Sequence, residues 1–304
     1  MKTGMGILIC ITLLGCELVE RKDTKKSHVK TQEKSDQPSI NDSLIQTSLD
    51  STTFESLINP LKDTLNISLL EIEDEFNYVY TSKLKSGVKI KWIEQNSGKK
   101  IRSDEMLMLE YRLSLPDGRI VDGNNKMKMP YLPFVVGYNM QQKGWDLALQ
   151  EMCVGDVAKI EIPSELAYGS KGLGAVIPPN TDNWLFLKIH GVVKPDYDQD
   201  GVRYWELQSG EESTSRNKVK FHMIASTKNK ANIFNTYASN FPLTYASGQK
   251  NYPKGLEQVL KKANEGQYLF LILDPEMAYG TQGYTSLIQA NESIFYNLKI
   301  IDVE

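Results

Sequence analysis

Lys143-Gly144-Trp145-Asp146-Leu147-Ala148-Leu149-Gln150-Glu151-Met152-Cys153-Val154-Gly155 returns 111 residues later as Lys254-Gly255-Leu256-Glu257-Gln258-Val259-Leu260-Lys261-Lys262-Ala263-Asn264-Glu265-Gly266. In the first copy Trp145, Ala148, Leu149 and Met152 fall at i, i+3, i+4 and i+7, and Leu256, Val259, Leu260 and Ala263 do the same in the second. That spacing puts four apolar side chains on one face of a short helix, suited to packing on a sheet. Each run stops at a glycine, Gly155 or Gly266, a residue that readily follows a helix end. The first copy then alternates, with Val157, Lys159 and Glu161 set against Ala158, Ile160 and Ile162, the period of a strand.

Working outward, the same offset of 111 relates Gly137 to Gly248 and Ala167-Tyr168-Gly169 to Ala278-Tyr279-Gly280. The two units also open alike, with Gly87-Val88-Lys89-Ile90 and Gly201-Val202-Arg203-Tyr204. A period this long in two copies is a domain duplication and not a solenoid. Most of what remains reads as short alternating strands, so each unit is α+β, strands wrapped on one helix. The boundaries predicted are 86–195 and 196–304.

The chain of 304 residues has 35 Lys+Arg against 38 Asp+Glu, a net charge of −3, which argues against a nucleic-acid partner. Its three histidines are scattered, and neither a metal nor another cofactor is expected. Lys2 precedes an apolar run, Gly4–Leu14, interrupted only by Thr12 and too short to span a bilayer as a helix. The run ends Leu13-Leu14-Gly15-Cys16, which resembles the lipobox of bacterial lipoproteins. The resemblance implies a signal peptide over 1–15, acylation of Cys16, and a protein held in the cell envelope, with the outer membrane favoured. Cys10 then leaves with the signal, and Cys153 in its apolar context reads as a small core residue. Residues 16–60 are rich in Lys, Ser, Thr, Asp and Gln, the composition of a flexible tether. Asp42-Ser43-Leu44, Asp50-Ser51-Thr52 and Asp63-Thr64-Leu65 look like O-glycosylation acceptors of Bacteroidota. Over 61–85 the apolar residues thicken, which predicts a helical lead-in.

Residues 86–193 carry Pro116-Asp117-Gly118-Arg119-Ile120-Val121-Asp122, Lys143-Gly144-Trp145, Met152-Cys153-Val154-Gly155, Ala167-Tyr168-Gly169 and Ile177-Pro178-Pro179-Asn180. In this order and spacing they resemble an FKBP-type peptidyl-prolyl cis-trans isomerase domain. The resemblance implies an antiparallel sheet of five or six strands curled around one short helix. It also implies a reaction needing neither nucleophile nor metal. The X–Pro bond differs little in energy between its isomers but crosses a barrier of about 18–20 kcal/mol set by amide resonance. An apolar aromatic pocket can shelter the twisted amide while fixed donors hold the flanking carbonyls.

Carried onto this chain, the resemblance makes Trp145 the floor for the proline ring, Tyr168 a hydroxyl donor, Tyr111 a pocket phenol and Asp122 the pocket carboxylate. Phe134 and Ile177 match wall positions, and Leu185 stands at a family phenylalanine. Tyr131 is set in place of another phenylalanine, across a one-residue insertion. Val121 replaces the usual Phe before Asp122. Gln141 and Gln142 replace an apolar pair, the second of which gives the ligand a backbone N–H. Leu173 stands where some members have a histidine, and Lys126 or Lys128 is set to face Asp122. A pocket less aromatic and more polar on one side implies weak isomerase activity and poor macrolide binding. In the second copy Leu256 replaces the Trp, Leu287-Ile288-Gln289 replaces the Ile-Pro-Pro, Asn235 is the best match to the Asp, and only Tyr279 survives. That copy is expected to be non-catalytic. The clients expected are proline-containing exported proteins. The competing expectation is a chaperone or a subunit of an outer-membrane assembly.

Overall fold

The computed structural model describes residues 77–127 and 129–304. The signal, Cys16, the tether, the glycosylation tripeptides and most of the lead-in lie outside them. The first domain runs β1 (Tyr80–Lys83), β2 (Lys89–Glu94), β3 (Met106–Ser114), β4 (Ile120–Gly123), α1 (Asn124–Met127), β5 (Leu132–Val135), α2 (Lys143–Leu149), β6 (Val157–Ile162) and β7 (Asn183–Val193). The second runs β8 (Tyr197–Gln199), β9 (Val202–Gln208), β10 (Lys218–Thr227), β11 (Phe234–Asn235), β12 (Leu243–Ala246), α3 (Lys254–Leu260), β13 (Tyr268–Leu273) and β14 (Ile294–Val303).

Each domain is one sheet, ordered β1-β2-β6-β7-β3-β4 in the first and β8-β9-β13-β14-β10-β11 in the second. β5 pairs beside β3, and β12 beside β10, so the two orders correspond strand for strand. The pairings are antiparallel throughout. Each sheet has seven strands, more than the five or six expected. The additions are β1 and β8, each joined to the next strand by a tight turn. Between β8 and β9 the turn is Asp200-Gly201, both at positive φ (51° and 75°), which matches the twist of a two-residue hairpin. The lead-in expected to be helical thus ends in strand β1, because Leu84 and Val88 close a turn onto β2.

The helix packs where its spacing put it. Trp145, Ala148, Leu149 and Met152 are all buried in the first core, and Leu256, Val259, Leu260 and Ala263 in the second. Gly144 permits the close approach: a Cβ there would stand 2.3 Å from Ile162 Cγ2, and one at Gly255 would stand 2.5 Å from Leu273 Cδ2. The sheets alternate as strands must. On β3, Leu107, Leu109, Tyr111 and Leu113 face the helix, whereas Met106 and Met108 face away.

Those outer faces meet. Met106, Met108, Val135, Tyr138 and Val193 of the first domain share one buried cluster with Trp205, Leu207, Tyr268, Phe270, Ile272 and Phe295 of the second. This is why β13 is apolar on both faces. The two sheets therefore lie back to back with the helices outward. Trp205 Nε1 donates to Val193 O (3.0 Å), Asn139 Nδ2 donates to the carbonyls of Thr227 (3.2 Å) and Lys228 (3.1 Å), and Lys228 Nζ pairs with Asp104 (2.9 Å).

Candidate active site

The concave face of the first sheet brings most of the expected residues together. Tyr111 comes from β3, Val121 and Asp122 from β4, Phe134 from β5, Trp145 from α2 and Leu185 from β7. Tyr168 and Ile177 come from the segment between β6 and β7, and the apolar members form one cluster. The Trp145 indole sits edge-on to Tyr111 (centroids 5.2 Å apart) and stacked on Phe134 (5.9 Å). Tyr111 Oη donates to Asp122 Oδ2 at 2.9 Å, and the other carboxylate oxygen accepts the Gly123 N–H at 2.8 Å.

β4 is held on β3 by Asn124, whose Oδ1 accepts the Tyr111 N–H and whose Nδ2 donates to Leu109 O. Lys126 makes no ion pair with Asp122. Its ammonium bonds the carbonyls of Ile120 (3.3 Å) and Val121 (3.0 Å), near enough to favour the charged carboxylate. Lys128 lies outside the described residues.

Burial pushes the Asp122 carboxyl up, against the Gly123 N–H, the Tyr111 hydroxyl and Lys126. Burial and the Asp122 charge drive the Tyr111 phenol well above its ordinary range. Tyr168 is pushed up to about 12, mainly by burial and then by Asp122, with Gln142 acting the other way. Both phenols therefore stay protonated donors at neutral pH. The site offers an aromatic floor, two hydroxyl donors and one half-buried carboxyl. Among the described residues no group of His, Cys, Asp or Glu is arranged to hold a metal.

Gln142 is the residue before α2, with extended backbone (φ −65°, ψ 147°), and it is buried with Gln141. Tyr131 does not join the site. Strand alternation turns it to the outer face, against His190 (4.4 Å), and puts its neighbour Leu132 into the pocket-side core instead. The one-residue insertion hid this, and period-two counting back from Phe134 would have found it. Cys153 is half-buried and gives its N–H to Asp156, which also accepts the Trp92 indole N–H.

Sequence reading also passed over Asp146. Its carboxylate accepts the N–H of Gly137 (2.6 Å) and of Asn139 (2.8 Å), tying the 137–142 loop to the helix beside Trp145. Burial pushes this carboxyl up to about 6 despite those two donors and Lys143. The same loop faces the second domain through Tyr138, whose ring lies tilted against Phe295 (centroids 5.6 Å apart), and through the two Asn139 amide bonds.

Strand register locates the equivalent positions in the second domain. Tyr111 lies opposite Leu187 as Met223 lies opposite Leu298. Asp122 lies opposite Leu113, two residues on from Tyr111, and Phe234 opposite Ala225 in the same relation to Met223. The carboxylate's place is thus taken by Phe234, and the expected Asn235 falls one residue further. Thr236 confirms the register, its hydroxyl accepting the Met223 N–H as Asn124 accepts that of Tyr111. Leu256 stands for Trp145, Tyr245 for Phe134, Ile288 for Ile177 and Tyr296 for Leu185. Tyr296 is wholly buried beside Tyr279, and burial drives its phenol far up. The second domain thus carries a ring on the sheet where the first carries one on the helix, with Leu256 and Tyr296 in one core.

A family model described as FKBP-type peptidyl-prolyl cis-trans isomerase matches residues 97–190 and again 209–301. The chain is 26% identical over 204 residues to peptidyl-prolyl cis-trans isomerase FKBP10 of Mus musculus, covering 66% of this chain but only 35% of that one. It is 38% identical over 84 residues to FK506-binding protein 2 of Kluyveromyces lactis, covering 27% of this chain and 59% of the relative. Among solved structures, the three FKBP domains of wheat FKBP73 align at 15% identity over 72% of this chain and 96% of theirs, with a TM-score of 0.35. Two matched segments, each covering the helix and most of one sheet, place this chain in the FKBP-type peptidyl-prolyl cis-trans isomerase family as a tandem of two such domains.

Proposed function

We propose that the first domain isomerises X–Pro bonds of exported or envelope proteins, and that the second does not. The observation that supports this is the Trp145 floor with the Tyr111–Asp122 hydrogen bond at its edge and Tyr168 alongside. A proline ring on the indole would leave water. Its imide, as it twists, loses resonance and becomes ketone-like, and an apolar enclosure favours that state over the planar one. Tyr168 stays protonated to donate to a flanking carbonyl, and the Tyr111–Asp122 pair holds the wall in place. The second domain supports the contrast, with Leu256 for the floor and Phe234 for the carboxyl.

The test is a proline-limited refolding reaction with micromolar protein, comparing wild type with Trp145→Ala, Asp122→Ala and Tyr168→Phe. No acceleration by wild type ends the isomerase reading, and unchanged catalysis by Trp145→Ala ends the site assignment.

The run ending Leu13-Leu14-Gly15-Cys16 supports a lipid anchor on Cys16 and an envelope location, outer membrane preferred. Acyl labelling that survives Cys16→Ser refutes it. A second reading, an FKBP-fold chaperone or a fixed subunit of an outer-membrane assembly, is favoured by the altered second pocket and by Gln141 and Gln142. Recovery from membranes without a stoichiometric partner counts against the subunit.

A further inference from the structure

Gln142 is only 7% exposed, yet neither its Oε1 nor its Nε2 has a hydrogen-bond partner among the described residues. Its side chain does not cap α2, although it stands at the cap position. It lies against the Tyr168 phenol, close enough to oppose the effect of burial on that group, but outside hydrogen-bonding geometry. A buried amide with both ends unpaired is costly, so it calls for a partner that the free protein does not provide. The partner must offer a donor to Oε1 and an acceptor to Nε2 or to the Tyr168 hydroxyl. A peptide unit offers both.

Proline narrows the choice, because its own nitrogen carries no hydrogen. In a segment X-Pro-Z, with the proline ring on Trp145, the N–H nearest to the ring on the C-terminal side is that of Z. We propose that the Gln142 side-chain amide reads this N–H, making the site selective for X-Pro-Z segments with a free N–H after the proline and against X-Pro-Pro. This rests on the first domain's pocket being a proline-peptide site. The selectivity comes from a buried acceptor that stays unpaired whenever Z lacks its hydrogen, which penalises the wrong substrate more than it rewards the right one.

The experiment uses two peptides alike except that an ester oxygen replaces the Z nitrogen and its hydrogen. Exchange of the X–Pro bond is followed by NMR with the whole protein, wild type and Gln142→Leu. Wild type is expected to favour the amide over the ester by roughly 5- to 20-fold in kcat/KM, carried by KM. Gln142→Leu is expected to lose that preference and to melt at a higher temperature than wild type, since an unpaired amide has gone. Equal handling of both peptides by wild type, or a preference that survives in Gln142→Leu, overturns the proposal. If wild type accelerates neither peptide but binds the amide more tightly by NMR titration, the reader role stands and the isomerase reading falls. If it neither accelerates nor binds, both fall.

Discussion

Trp145→Leu installs in the first domain the residue that the second carries at the same place, Leu256. The indole is fully buried and packs on two rings, Tyr111 and Phe134. Complete truncation of a buried Trp costs about 3–5 kcal/mol, and Leu keeps part of the packing, so the expected loss is about 2–3 kcal/mol. Leu185→Tyr, copying Tyr296, forces a ring into a filled core and should cost about 1–3 kcal/mol alone. In the second domain the two residues occur together, and Tyr296 is wholly buried. The double variant should therefore be more stable than the sum of the singles by about 1–3 kcal/mol, the range of coupled core neighbours. Urea unfolding followed by far-ultraviolet circular dichroism measures all four corners of the cycle. Stability returns but catalysis does not: without the floor, kcat/KM should stay at least about tenfold down, a loss of about 1.4 kcal/mol of transition-state stabilisation. Singles that add to within about 0.5 kcal/mol refute the ring exchange. Recovery of isomerase activity in the double variant refutes the role of the indole.

Tyr111→Phe removes the hydroxyl that favours the charged Asp122. The Asp122 pKa already lies above its unfolded value, so the carboxyl favours folding at pH below about 4, and that contribution is lost as pH rises through the folded pKa. Losing Tyr111 Oη raises the folded pKa further, so the variant should lose about 1–2 kcal/mol at pH 7 and less at pH 3.5. Equal losses at both pH values in urea titrations contradict this. Asn139 has φ 53°, which Gly adopts freely, so Asn139→Gly keeps the backbone bond to Asp146 and removes only the two bonds to Thr227 and Lys228. Amide exchange over 137–142 should quicken about five- to tenfold, the equivalent of about 1 kcal/mol. Unchanged exchange means that the second domain does not steady the loop in front of Trp145.

The duplicated helix and its glycines were legible because their constraints are local. Four apolar residues on one face and a glycine where the helix touches Ile162 leave a pattern in the chain itself. Trp145, Phe134 and Tyr168 could be placed because motifs flank them closely. Tyr131 was misplaced because a single inserted residue inverts which face a strand position occupies. Phe234 escapes the repeat for a related reason: ahead of that inserted residue the two copies are offset by 112 and not 111, from Tyr111 to Met223 and from Asp122 to Phe234, and only pairing register reveals it. The back-to-back sheets were not legible either. Met106, Met108 and Phe270 read as ordinary strand residues until the partner face is known. Asp146 and Asn139 left no signal, since their partners are main-chain groups of a loop.

The central claim is that the first pocket lowers the barrier to X–Pro rotation. The direct measurement is the rate of a proline-limited refolding phase, normally tens of seconds or longer, with the purified protein added. The account predicts a rate that rises linearly with protein concentration, abolished by Trp145→Leu and undiminished by Leu256→Ala so long as the fold holds. A rate indifferent to the protein, or acceleration that survives Trp145→Leu intact, contradicts it.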